Sequence, residues 1–155
     1  MRTKQKGFSL IELLIVVAII LIIAAIAIPN LLRAKIAANQ ASAVGSLRTL
    51  NTACIAFSTS YGSFPAALSN LGPVGSGGTA SSTSADLIDS VLAAGTKSGY
   101  VFAFGAGASN QSYTITAKPI TAATTGQNMY FTDQSGVIRV DTSGSGASAT
   151  STPIG

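Results

Sequence analysis

Sixteen consecutive residues, Leu13 to Ile28, carry no polar side chain. Counted from Phe8, the segment is 21 residues long, and at 1.5 Å per helical residue it spans about 30 Å, the thickness of a bilayer's hydrocarbon layer. No other stretch of this 155-residue chain approaches it. The segment is interrupted near its start by one carboxylate, Glu12. An ionisable group costs several kcal/mol in hydrocarbon and marks a functional position by default, so Glu12 requires a partner.

Composition has to be read on either side of this segment. Three of the nine basic residues, Arg2, Lys4 and Lys6, precede Phe8, so without them the net charge falls from +4 to +1. The others (Arg33, Lys35, Arg48, Lys97, Lys118 and Arg139) are dispersed, which argues against a nucleic-acid partner. The chain has no histidine, the commonest general base and metal ligand. Cys54 is the single cysteine, so no intramolecular disulfide can form, and its place on an apolar stripe reads as a small buried hydrophobe. No nucleophile-base pair or phosphate loop is visible, and an enzyme is not expected.

Residues 1–7, Met-Arg-Thr-Lys-Gln-Lys-Gly, form a basic leader before the apolar run. A secretory signal would be cut near Ala25-Ile26-Ala27, but the run is long for that purpose, Glu12 interrupts it and Pro29 follows closely. A simple signal anchor fits the length and leaves Glu12 without a role. The motif Lys6-Gly7-Phe8-Ser9-Leu10-Ile11-Glu12-Leu13, continuing into Leu-Ile-Val-Val-Ala-Ile-Ile, resembles the N-terminus of type IV prepilins and type II secretion pseudopilins. The resemblance implies cleavage after Gly7 by a membrane prepilin peptidase, which also N-methylates Phe8. It implies an assembly role for Phe8, Ser9, Glu12 and Pro29, with Ser9 standing where the family usually has threonine. It also implies a homopolymer built at an inner-membrane assembly platform with its ATPase. The subunit would first sit in lipid, single-pass with its N-terminus cytoplasmic, and later in an extracellular pilus or periplasmic pseudopilus.

That family chemistry gives Glu12 a partner. It lies about 6 Å along the helix from the new amino group, where the helix dipole favours an anion. In a staggered filament it can meet the cationic N-terminus of a neighbouring subunit. Desolvation offsets much of the attraction, so the pair sets register more than it adds stability.

Pro29 predicts a kink or local melting, because it removes an amide donor and crowds the carbonyl of Ala25. Beyond it, Leu32, Ile36, Ala43, Leu47, Leu50, Cys54 and Phe57 recur at helical spacing, an amphipathic stripe that needs a packing partner. Tyr61-Gly62 ends this helix. Pro65 to Leu71 reads as a helical turn stopping at Gly72, and Asp86 to Ala94 as a helix capped by Ser84 and closed by Gly95. Asp86 and Asp89 at its start read as dipole-compensating charge rather than a metal pair. Tyr100, Phe102 and Phe104, then Tyr113, Ile115 and Ala117, alternate with a period of two. Met129–Thr132 and Val137–Asp141 form a second hairpin around Gly136.

The expected fold is α+β: a long N-terminal helix, kinked near Pro29, on a small four-stranded antiparallel sheet. The expected boundaries are a cleaved leader at 1–7, a transmembrane and polymerisation helix at 8–28 and its amphipathic continuation at 29–60. A loop with short helices at 61–98, the sheet at 99–141 and a Ser/Thr/Gly-rich mobile tail at 142–155 complete the chain. No cofactor is expected. Major pseudopilins carry a calcium site in a C-terminal loop, so the resemblance also admits calcium at Asp133 and Asp141, against the reading that both serve local turns. Retention of Glu12 argues against a tip-type minor subunit, and the lone cysteine excludes a disulfide-closed C-terminal loop. A pilus subunit and a major-type pseudopilin therefore stand side by side, with a membrane-anchored or secreted β-rich binding module as the reading outside the class.

Overall fold

The computed structural model describes residues 7–154; leader residues 1–6 lie outside the described residues. The chain divides into two compact units, residues up to 35 and residues from 36 onward. Helix α1, Leu10–Tyr61, contributes to both. In the first unit its large apolar side chains are exposed among the described residues, with Leu10, Leu21, Ile22 and Ile26 among those more than 60% exposed. Pro29 lies inside α1, and the residues on both sides of it keep helical structure. The melting considered for this position is therefore not seen in the single chain. One missing amide donor leaves the other hydrogen bonds of a 52-residue helix in place.

The second unit is built on the C-terminal half of α1. Ala43, Leu47, Leu50, Ala53, Cys54 and Phe57 are buried, repeating at the three- and four-residue steps of one helix face. The expected stripe thus begins at Ala43, since Leu32 is exposed and Ile36 only half-buried. The helix stops at Tyr61, where Gly62 turns to a positive φ of 77°.

Six strands follow in sequential antiparallel order: β1 Thr96–Lys97, β2 Tyr100–Ala106, β3 Tyr113–Pro119, β4 Met129–Asp133, β5 Arg139–Asp141 and β6 Thr152–Pro153. The expected two hairpins are present, but the sheet has six strands rather than four. The added edge strands are two residues long, too short to show a period of two. The Ser/Thr/Gly-rich C-terminal segment is also not wholly a free tail, because Arg139 pairs with Pro153 and Val140 with Thr152.

Register aligns the apolar faces. Phe102 opposes Ala117, which opposes Tyr130; Phe104 opposes Ile115, which opposes Thr132. These faces join the buried residues of α1 in one core, which also includes Leu68, Leu71, Ile88 and Leu92. On the other face of β4, Phe131 is buried outside that core, flanked in register by Thr116 and Arg139.

Between α1 and the sheet the chain departs from expectation. Helix α2 is only Ser90–Ala93, capped by Asp89, whose carboxylate accepts the Leu92 N–H at 2.8 Å. Ser84 does not cap it, and Asp86 has a left-handed φ of 55°. The reason is tertiary: the amides of Ala85, Asp86, Leu87 and Ile88 bond to carbonyls of residues 70–72, so this backbone is committed elsewhere. The turn expected from Pro65 is a 3-10 turn, Leu68–Leu71.

A buried polar cluster crosses the core. Asn51 on α1 donates to the Thr132 hydroxyl at 2.9 Å and the Gly136 carbonyl at 3.3 Å, and accepts from the Tyr113 hydroxyl at 3.1 Å. One amide thereby joins α1, β3, β4 and the β4–β5 turn. Replacing Asn51 with alanine leaves buried hydroxyls unsatisfied and should cost about 2–3 kcal/mol. Urea unfolding of the detergent-solubilised chain should show a lower midpoint at unchanged slope.

Burial also sets an alkaline limit. It pushes the Cys54 thiol up from 9.0 to about 12 and the Tyr100 hydroxyl up from 10.0 to about 12. The unfolded chain releases these protons first, so their contribution is complete below about pH 9 and is lost as pH rises towards 12. Cys54→Ala should move the onset of alkaline destabilisation towards pH 10, measured as unfolding free energy against pH.

Candidate assembly segment

The N-terminal site is assembled by local sequence alone. Gly7, Phe8 and Ser9 lie outside the helix, and Phe8 is 79% exposed. The helix begins at Leu10, which makes Ser9 its cap residue and Glu12 the third helical residue. The Glu12 carboxylate reaches back and accepts the Ser9 backbone N–H at 2.9 Å. This is half of a capping box, the pattern in which serine is followed three residues later by glutamate. It satisfies an amide that has no partner in the helix, and it places a negative charge in the first turn, where the dipole favours it. Ser-Leu-Ile-Glu spells this pattern in the sequence, but the adjoining apolar run draws attention to Glu12 as a carboxylate seeking a distant partner. Among the described residues, the Ser9 amide is its hydrogen-bond donor.

Beyond the cap the segment presents only hydrocarbon. Every large apolar residue from Leu10 to Ile23 is 44% or more exposed. The helix is long and apolar enough to cross a membrane.

The other candidate residues are not brought together. Asp141 opposes Met129, so Asp133 lies four residues farther along β4, about 13 Å away. Each aspartate is used by its own turn. Asp133 accepts the amide and hydroxyl of Ser135. Asp141 accepts the amide and hydroxyl of Ser143 through one oxygen and the Gly146 amide through the other. Those donors pull the Asp141 carboxyl down to about 2. Among the described residues no group of three or more metal-binding side chains converges. The two carboxylates therefore do not converge, and each is engaged by the donors of its own turn. Gly136, with φ 75°, closes the first of these turns.

Comparison with known proteins finds sequence matches that include the N-terminal segment. Residues 2–28 match the family model described as the prokaryotic N-terminal methylation motif. The same segment is similar to the N-terminal segments of type IV major pilins. The chain is 52% identical over 50 residues to the type IV major pilin protein PilA of Myxococcus xanthus, covering 32% of this chain and 23% of the relative. It is 65% identical over 37 residues to the type IV wide pilus major component PilA4 of Thermus thermophilus, covering 24% and 28%. It is 52% identical over 59 residues to the type IV major fimbrial protein FimA of Dichelobacter nodosus, covering 36% and 37%. The matches thus span about a quarter to a third of these relatives' lengths. No solved structure gives a significant match.

The Asp141 turn carries an acid-side prediction. A carboxyl held below its ordinary value contributes stability above the unfolded pKa of 3.8 and loses it as pH falls towards 2. Asp141→Asn should flatten that part of the stability–pH profile while leaving the profile near neutrality parallel to that of the natural chain. Thermal melts across pH 2–5 provide the check.

Proposed function

We propose that this chain is a structural subunit of a type IV pilus-like filament. It is inserted in the inner membrane as a prepilin with its N-terminus cytoplasmic, cleaved after Gly7, N-methylated at Phe8 and polymerised through its N-terminal helix. The observation that carries this reading is a membrane-length apolar stretch at the start of α1 whose large side chains are exposed among the described residues and whose single carboxylate sits in the first turn.

Such a segment is suited to two successive surroundings, lipid and the apolar interior of a polymer of identical chains. Gly7 and Phe8 lie outside the helix, in a backbone form open to a membrane peptidase that also methylates the new N-terminus. After cleavage, the amino group of Phe8 in one subunit supplies the cation for Glu12 of the next. Pro29 marks where the helix can yield when subunits pack. The partners are further copies of the chain, the peptidase, and an assembly platform with its ATPase. The role is structural rather than catalytic, in keeping with the named relatives, which are pilus and fimbrial proteins. Those names favour a pilus over a secretion pseudopilus.

Two measurements test the reading. Intact mass and N-terminal sequencing of filament-derived protein should give a chain that starts at methylated Phe8; a start at Ile28 would indicate a secreted protein and defeat the proposal. Glu12→Ala should lower the sheared filament yield at least tenfold while the cell-associated subunit stays near its normal level. An unchanged yield would remove Glu12 from assembly.

A further inference from the structure

We propose that the cavity where α1 ends binds one neutral sugar unit, either free or at the end of a glycan. The proposal rests on the lining of this cavity and not on the pilus-subunit reading.

Several stretches of chain converge there. Phe57 and Tyr61 come from the last turns of α1, Ser63 and Phe64 from the segment that follows, Asn70 from the 3-10 turn and Asn110 from the β2–β3 connection. The cavity holds about 370 Å3. That is near the lower end of the range for small-molecule sites, which suits a single ring rather than a long ligand. Hydrogen bonds fix its walls. The Phe64 N–H donates to the Asn110 carbonyl at 2.9 Å, tying the post-helix segment to the β2–β3 connection. The Asn70 carboxamide accepts the Ala67 N–H at 2.8 Å and donates to the Ser82 carbonyl at 3.1 Å, so it serves the wall rather than a ligand. The site is formed in advance, and binding has little left to order.

The lining chemistry narrows the ligand. Buried Phe57 lies with its ring 4.6 Å from that of exposed Tyr61, and Phe64 is set edge-on against Tyr113 at 4.9 Å. Beside these rings, the Asn110 side-chain amide and the hydroxyls of Tyr61 and Ser63 bond to no other described residue. Those groups both donate and accept. Among the described residues no charged side chain lines the cavity. A charged ligand would therefore lose its hydration without gaining a counter-charge. An apolar ligand would bury the amide and the hydroxyls unpaired. A neutral sugar satisfies both halves of the lining, since its C–H faces pack on aromatic rings and its hydroxyls donate and accept at once.

Asn110 also supplies a clean variant. Its φ is 54°, in the left-handed region that glycine adopts without strain. Asn110→Gly thus removes the amide while keeping the turn and the carbonyl that accepts the Phe64 N–H.

The test uses the 15N-labelled full chain in zwitterionic micelles, which carry no sugar headgroup. The probes are the methyl glycosides of glucose, galactose, mannose and N-acetylglucosamine, the four free sugars and glucuronate. At least one neutral probe should shift the backbone amides of Tyr61, Phe64 and Asn110 and receive saturation at its ring C–H protons. Asn110→Gly should weaken that binding about twofold to tenfold, the range for one net hydrogen bond. Tyr61→Ala should weaken it by about tenfold through loss of the ring. Glucuronate should bind at least about tenfold more weakly than the matching neutral sugar, because nothing at the site compensates its charge. Equal binding of the glycoside and the free sugar assigns the site to a glycan end, and loss of binding on methylation assigns it to a free sugar. Absence of shifts at those three amides with every neutral probe, unchanged affinity in Asn110→Gly, or equal binding of glucuronate overturns the proposal.

Discussion

About twenty apolar residues on the N-terminal half of α1 must leave water, and among the described residues they are exposed. Each large side chain brought out of water contributes roughly 1.5–3 kcal/mol, so the segment as a whole has a strong requirement for a nonaqueous surrounding. The second unit does not meet that requirement; its core is filled by Ala43 to Phe57 on α1 and the inward faces of the sheet. The single chain is therefore incomplete as a solvated object. A bilayer and then a polymer of identical helices are the surroundings that complete it under the proposed function.

The second unit has different physics. It is a conventional α-on-β layer whose apolar contacts are specific only in size and shape, and Asn51 adds direction. By satisfying Tyr113, Thr132 and the Gly136 carbonyl at once, it favours one rotation of the helix face against β3 and β4. Close approach adds a second fix. A Cβ at Gly126 would come within 2.1 Å of the Tyr100 hydroxyl oxygen, so the loop before β4 can lie on that ring only as glycine. Tyr100 in turn donates to the Asn128 carbonyl at 3.0 Å.

Legibility in the sequence followed the length of each signal. The 21-residue apolar segment, the helical stripe read from Leu32 and the alternation in β2 and β3 are long enough to be legible, and the structure has a helix and two strands there, although the buried stripe begins only at Ala43. Strands β1 and β6 have two residues each and no period to read. The sequence reads a longer α2 because Ser84 can cap it locally and Asp86 would compensate its dipole, yet the backbone at 85–88 bonds to residues 70–72. Asn51 was hidden because a polar residue within an apolar stripe reads as an interruption until its partners, more than sixty positions away, are brought beside it. At the N-terminus the Ser9–Glu12 cap is local and could have been read directly. It was overshadowed by the stronger question of what a carboxylate does in hydrocarbon.

Glu12 is a cap within the chain and, in the assembled state proposed, a register mark between chains. The central claim is that its carboxylate meets the N-terminal amine of a different subunit in the filament. The most direct measurement is solid-state NMR on filaments grown from a mixture of subunits, half carrying 13C-labelled glutamate and half 15N-labelled phenylalanine. A correlation between the Glu12 carboxyl carbon and the Phe8 amine nitrogen is predicted, because in such a sample it can arise only between chains. A well-resolved Glu12 signal with no transfer to that amine would contradict the account.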